Sequence, residues 1–162
     1  MSIGLHAQAA LDGLLAQLSD GTNGVPKSIT DIDADGAPTL TAIASYQVRS
    51  DLEGLTPLPH LALQIDGETE EQDWLTVQRD VVIPILVTVT HHTSDSPTVA
   101  DLNSYYYARA VDDALNRRAR NVTGVWRIQT TAIGIEPVGA DRNRRRAHVR
   151  ATMWLRTDRR EA

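Results

Sequence analysis

Two periods of apolar residues run along the chain. Ile3, Ala7, Leu11, Leu14, Leu15 and Leu18 recur at steps of three and four, the stripe of an α-helix. Gly21, Gly24 and Pro26 are expected to end that helix. Leu61, Leu63 and Ile65 then alternate with Ala62 and Gln64, which predicts a short strand with one face in the core. A longer alternation fills 79–91, with Val81, Ile83, Ile85, Val87 and Val89 on one face and Val82, Leu86 and Thr88 on the other. Pro84 cannot donate to a ladder and predicts an edge or a bulge there. Helical spacing returns with Leu102, Tyr106, Ala110 and Ala114, joined by Val99, Val111 and Leu115. Ser96 is a good N-cap ahead of a first-turn Pro97, and the helix is expected to reach about Ala119. Arg117, Arg118 and Arg120 fall in its last turn, where the helix dipole favours cations.

Two further strands close the pattern. Over 125–135, Trp126, Ile128, Thr130 and Ala132 are expected on one side. Over 147–157, Val149, Ala151, Met153 and Leu155 alternate with His148, Arg150, Thr152, Trp154 and Arg156. Residues 136–146 between them read as a polar hairpin loop. Residues 25–59 fit no period, because Pro26, Pro38, Pro57, Pro59, Gly36 and Gly54 interrupt them. Only 40–48 resembles a strand, and the stretch is long for a connection. It reads either as an extended arm or loop that orders against a partner, or as a meander with one strand. The fold class expected is α+β, in a single domain over 1–162. Two helices pack on a mostly antiparallel sheet of four to five strands.

Composition narrows the chemistry. The chain of 162 residues has no Cys, which excludes disulfides, thiolate nucleophiles and cysteine-bound metals. It also has no Phe, so aliphatic side chains must fill the core. The net charge of −5 is unevenly spread. Residues 1–80 carry 13 acidic and 3 basic side chains, and residues 81–162 carry 8 acidic and 13 basic. Regions of opposite sign can meet within one fold or between copies of it. No segment has the form of an export signal or a membrane span, so synthesis and assembly in the cytoplasm are expected.

Asp31, Asp33, Asp35 and Gly36 match the first half of a calcium loop, but Ala42 stands where the bidentate Glu is needed. A solvated acidic loop is expected there. His91 and His92 are neighbours in a strand and face opposite ways, so they do not share a metal. No nucleophile elbow, phosphate loop or dinucleotide fingerprint is present. Neither a cofactor, a metal nor enzymatic activity is expected. Arg142, Arg144, Arg145 and Arg146 form a dense basic cluster with Asp141 as its only local acid. Glu68, Glu70, Glu71 and Asp73 form a complementary acidic turn. The cluster is expected to dock on such a patch in another subunit or partner.

The order of elements resembles the tail terminator (tail completion) family of long-tailed bacteriophages. The resemblance lies in the N-terminal helix at 3–18, in the pair LPHLALQID and RDVVIPILVTVTHH followed by the helix SPTVADLNSYYYARAVDDALNRR, and in the closing pair VWRIQTTAIGI and RRAHVRATMWLRT. It implies a structural virion protein forming a hexameric ring that ends the tail tube and joins it to the head connector. The genome would pass through that ring without sequence-specific binding. The alternatives are a neck or head-completion protein of the head–tail junction, and a cytosolic small-ligand-binding protein or enzyme.

Overall fold

The structure, a computed structural model, describes residues 3–34, 40–48, 57–73, 78–93, 96–118, 122 and 124–158. In chain order the elements are α1 (Ile3–Ser19), α2 (Val25–Ala34), β1 (Ser45–Val48), β2 (His60–Ile65), β3 (Glu70–Asp73), β4 (Gln78–His92), α3 (Pro97–Arg118), β5 (Val125–Pro137) and β6 (Arg144–Asp158). The strands form one sheet in the order β1-β2-β4-β6-β5, with β3 also paired to β4. Every pairing is antiparallel except β1 with β2. The fold is α+β, with the helices packed on one face of the sheet.

β4 and β6 make the frame, paired along all 15 residues of each. Val81, Ile83, Ile85, Val87 and Val89 from β4 face the helices and are buried. Across the ladder they meet Leu155, Met153, Ala151, Val149 and Ala147, which are buried too. The strict alternation fixes this register, since a slip of one residue would turn each strand's apolar set outward. Each large side chain buried here stabilises by ~1.5–3 kcal/mol. Ser96 caps α3 as expected, its Oγ accepting from the Val99 amide at 3.2 Å. The buried residues of α3 are Ala100, Ser104, Tyr107, Ala108, Ala110, Val111, Ala114 and Leu115, whereas Leu102, expected inward, is exposed.

Three expectations are corrected. Residues 25–34 are not part of an arm, since α2 buries Val25, Ser28, Ile29 and Ile32 in the common core. Pro26 lies in its first turn, where a missing N–H leaves no intrahelical bond unmade. Gly24 makes the corner with α1, because a Cβ there would strike the Gln17 and Leu18 carbonyl oxygens. Residues 40–48 are also tied down: the Tyr107 hydroxyl donates to the Thr41 carbonyl at 2.6 Å, and the Ala44 amide to the Pro59 carbonyl at 2.8 Å. Of the expected arm, 35–39 and 49–56 lie outside the described residues.

Pro84 lies inside the sheet rather than at its edge, and the irregularity expected there falls where β4 passes from β3 to β2, with 66–69 standing against 83–84. Its carbonyl accepts from the Asp66 amide at 2.9 Å, so that side of β4 faces the β2–β3 connection. β2 pairs 85–90 and β3 pairs 79–82, so neither strand needs an N–H from residue 84. In β5, register shifts between Val125 and Arg127 and between Thr130 and Ala132 break the expected alternation. Ile128 is buried, but Trp126 and Ala132 are exposed.

Candidate functional site

The β5–β6 connection is shorter than expected. β5 runs to Pro137 and β6 begins at Arg144, so the turn is 138–143 and Arg144, Arg145 and Arg146 are strand residues. The Arg145 Nε donates to Asp101 on α3 at 2.8 Å, and its guanidinium also donates to the Arg142 and Arg144 carbonyls. Arg146 reaches Glu136 at 3.4 Å and the Thr90 hydroxyl at 3.4 Å. Asp141 accepts from the Asn143 amide at 2.9 Å, and its other oxygen lies 3.3 Å from His92. Asp101 and Glu136 therefore pair with the cluster, whereas Asp141, the one local acid expected to balance it, meets the Asn143 amide and His92. Arg142 remains exposed at the tip of the turn.

Glu68 is exposed between β2 and β3. Glu70, Glu71 and Asp73 lie in β3, at the register positions opposite Val82, Val81 and Arg79. The arginine turn follows the other end of β4, where His92 pairs with Arg144. At ~3.4 Å per residue the two groups stand roughly 35–45 Å apart along the strand. The fold thus holds the acidic turn and the basic turn at opposite ends of one ladder and does not bring them together.

Between those ends, the sheet face away from the helices carries a row of long side chains. Arg150 pairs with Asp66 at 2.9 Å, and Arg156 with the fully buried Asp80 at 3.0 Å. The Arg127 guanidinium stacks 4.4 Å above the Trp154 ring, and that of Arg156 4.7 Å above Trp126. Gly134 lies opposite His148, and a Cβ at 134 would strike the imidazole. A depression of about 210 Å³ opens here, lined by Gln64, Leu86, Thr88, Arg146, His148 and Arg150, with Glu136 beside them. Its two arginines already face carboxylates, so the surface is charge-balanced. Alternation along β6 placed these residues on one face; their acidic partners Asp66, Asp80 and Glu136 come from the β2–β3 connection, β4 and β5, and no spacing signals them.

Two groups have the look of chemistry. His91 Nε2 lies 2.5 Å from the Ser104 hydroxyl, and its ring packs on Tyr107 with centroids 4.9 Å apart. Both partners are buried, His91 to 1% and Ser104 to 0% exposure, so no substrate reaches the hydroxyl. Burial, followed by the Arg145 and His92 charges, lowers the His91 pKa to about 4. Each residue satisfies the other inside the core. Asp31 and Asp33, expected in a solvated acidic loop, belong instead to α2. Asp31 is bonded to Lys27 at 2.7 Å, and Asp33 accepts from the Leu40 amide at 3.3 Å. Asp35 and Gly36 lie outside the described residues. Among the described residues no three His, Asp or Glu side chains converge, and no helix is long and apolar enough to cross a membrane.

A second cavity of about 490 Å³ lies between α2 and the 40–46 segment, lined by Pro26, Ile29, Leu40, Ile43 and Tyr46 among others. Burial pushes the Tyr46 phenol up to about 12, so it stays protonated there. No protein-family model matches the chain, and no curated protein sequence matches it.

Proposed function

We propose that the protein is a structural virion subunit that repeats head to tail into a ring. Its place would be the end of a phage tail tube, where it joins the tube to the head connector after assembly in the host cytoplasm. The observation that supports this reading is the separation of charge. The acidic turn at 68–73 and the basic turn at 138–143 stand at opposite ends of the β4–β6 ladder. They are too far apart to meet within one chain. A contact between unlike ends is heterologous, and such contacts close into rings when the rotation permits. The order α1, α2, four strands, α3 and the β5–β6 hairpin contains the first helix, the β2–β4 pair, the helix after it and the closing pair on which the tail-terminator resemblance rests.

Native mass spectrometry of the purified chain, alone and with tail tubes, tests the proposal. A discrete ring, hexameric or formed only on the tube end, with particles seen capping tubes by electron microscopy, is the expected result. A protein that neither forms a ring nor binds tube ends at any concentration would overturn it.

A further inference from the structure

Among the described residues β5 is an edge strand of the sheet. Its 13 residues pair with β6 on one side, and no described residue pairs with the other. A free edge of this length offers a row of N–H and C=O groups to a second strand. The strand contains no Lys, and its one Pro is the last residue, Pro137. Ile133 and Ile135 are 48% and 40% exposed, although they lie opposite the buried Val149 and Ala147. Leu102 and Tyr105 of α3 are exposed as well. They share a helical stripe with Asp112, which accepts from the Thr130 hydroxyl of β5 at 2.5 Å. Apolar surface therefore flanks the free edge on the side that carries the helices.

The strand's own residues select the occupant and the register. The shift between Thr130 and Ala132 changes the parity of the side chains. Ile128 and Thr130 face the helices before it, and Ile133 and Ile135 after it. Arg127, Gln129, Gly134 and Glu136 face the other way. When a second β5 lies antiparallel about a two-fold axis and its pairs span the shift, like faces meet only if the residue numbers of each pair sum to an odd number. Among those registers one sets the strand's only two charges, Arg127 and Glu136, opposite each other. The same register places Ile128 opposite Ile135, Thr130 opposite Ile133 and Gln129 opposite Gly134, each twice.

The geometry points to a two-fold dimer in which β5 pairs antiparallel with β5 of a second copy, Arg127 facing the partner's Glu136, so that one sheet runs through both subunits. This contact is isologous and closes on two copies. It uses a lateral edge rather than the ends of the ladder, so it does not rest on the ring reading.

The chain has no Cys, so introduced thiols report one contact. Arg127→Cys and Glu136→Cys are prepared separately, mixed and oxidised. The mixture should give a disulfide-linked heterodimer, and neither protein alone should give a linked dimer. Two copies of residue 127 stand roughly 30 Å apart in this register, far beyond disulfide reach. No cross-link in the mixture, or equal cross-linking in the separate proteins, would falsify the pairing. Where the chain alone forms no ring, native mass spectrometry of the unmodified protein should show a dimer. The variant Ile133→Lys/Ile135→Lys should be monomeric with an unchanged circular-dichroism spectrum; a folded variant that stays dimeric would overturn the proposal. A ring without the 127–136 cross-link removes the edge pairing and leaves the ring. The cross-linked dimer without a ring does the reverse.

Discussion

His91 is the residue whose setting has the clearest thermodynamic consequence. Its ordinary pKa of 6.5 falls to about 4, chiefly by burial beneath α3. An unfolded chain takes up a proton near pH 6.5 that the folded one refuses until about pH 4. The His91 contribution to stability is therefore complete above pH 6.5 and is lost as the pH falls through 6.5 toward 4, by up to ~1.4 kcal/mol per unit. Urea unfolding followed from pH 7.5 to 4.5 should show this decline. A His91→Gln variant, which cannot titrate, should show a flatter profile, and an identical slope would assign the acid sensitivity elsewhere. Asp80 offers a second residue-level test. Its carboxylate is fully buried, and its Oδ1 accepts from Arg156, a side chain 40% exposed. Arg156→Ala leaves that charge without its cation and should cost ~1.5–3 kcal/mol by denaturant unfolding.

At the scale of elements, α2 carries the sharpest expectation. Ile29 is buried in the core, so Ile29→Ala should destabilise the protein by ~2–4 kcal/mol in chemical denaturation. A loss near zero would mean that α2 does not dock. This element was not legible in the sequence, because Pro26 acts as a breaker inside a helix and as a neutral residue in its first turn. Only α2's packing on α3 and the rest of the core decides between the two. β4 and β6 were legible, because five apolar residues at period two on each strand admit one register. β5 was legible as a strand and not in its facing, since its two register shifts leave no mark in the composition. The arginine cluster was visible as a cluster. Its partners Asp101 and Glu136 were not, because Asp101 is 44 positions from Arg145 in sequence and meets it only through the docking of α3. The candidate end-to-end contact was thus readable as charge, while its geometry required the ladder.

For the whole molecule, the ladder holds the acidic turn and the basic turn at its two ends, while Arg150 and Arg156 between them are paired with Asp66 and Asp80. That separation decides which variants test assembly cleanly. Reversing Arg144, Arg145 and Arg146 together would mix two effects. Arg145 is only 12% exposed and bonded to Asp101, so a Glu there sets two carboxylates together inside the subunit and weakens the fold. Arg142 is exposed at the tip of the basic turn, and Glu68 is exposed beside the acidic strand. Charges at the rim of a contact act mainly on encounter and leave the fold of each subunit alone. Arg142→Glu and Glu68→Arg should therefore each slow ring formation several-fold in light scattering or native mass spectrometry while leaving the thermal midpoint of the subunit unchanged. The slowing should be largest at low ionic strength and fade as salt shortens the screening length to ~8 Å at physiological strength and ~3 Å at 1 M. Combining both changes in one chain restores opposite charges across a head-to-tail contact and should recover most of the rate. If both single variants assemble at the normal rate in low salt, the ladder's ends do not meet between subunits, and the charge separation has another use.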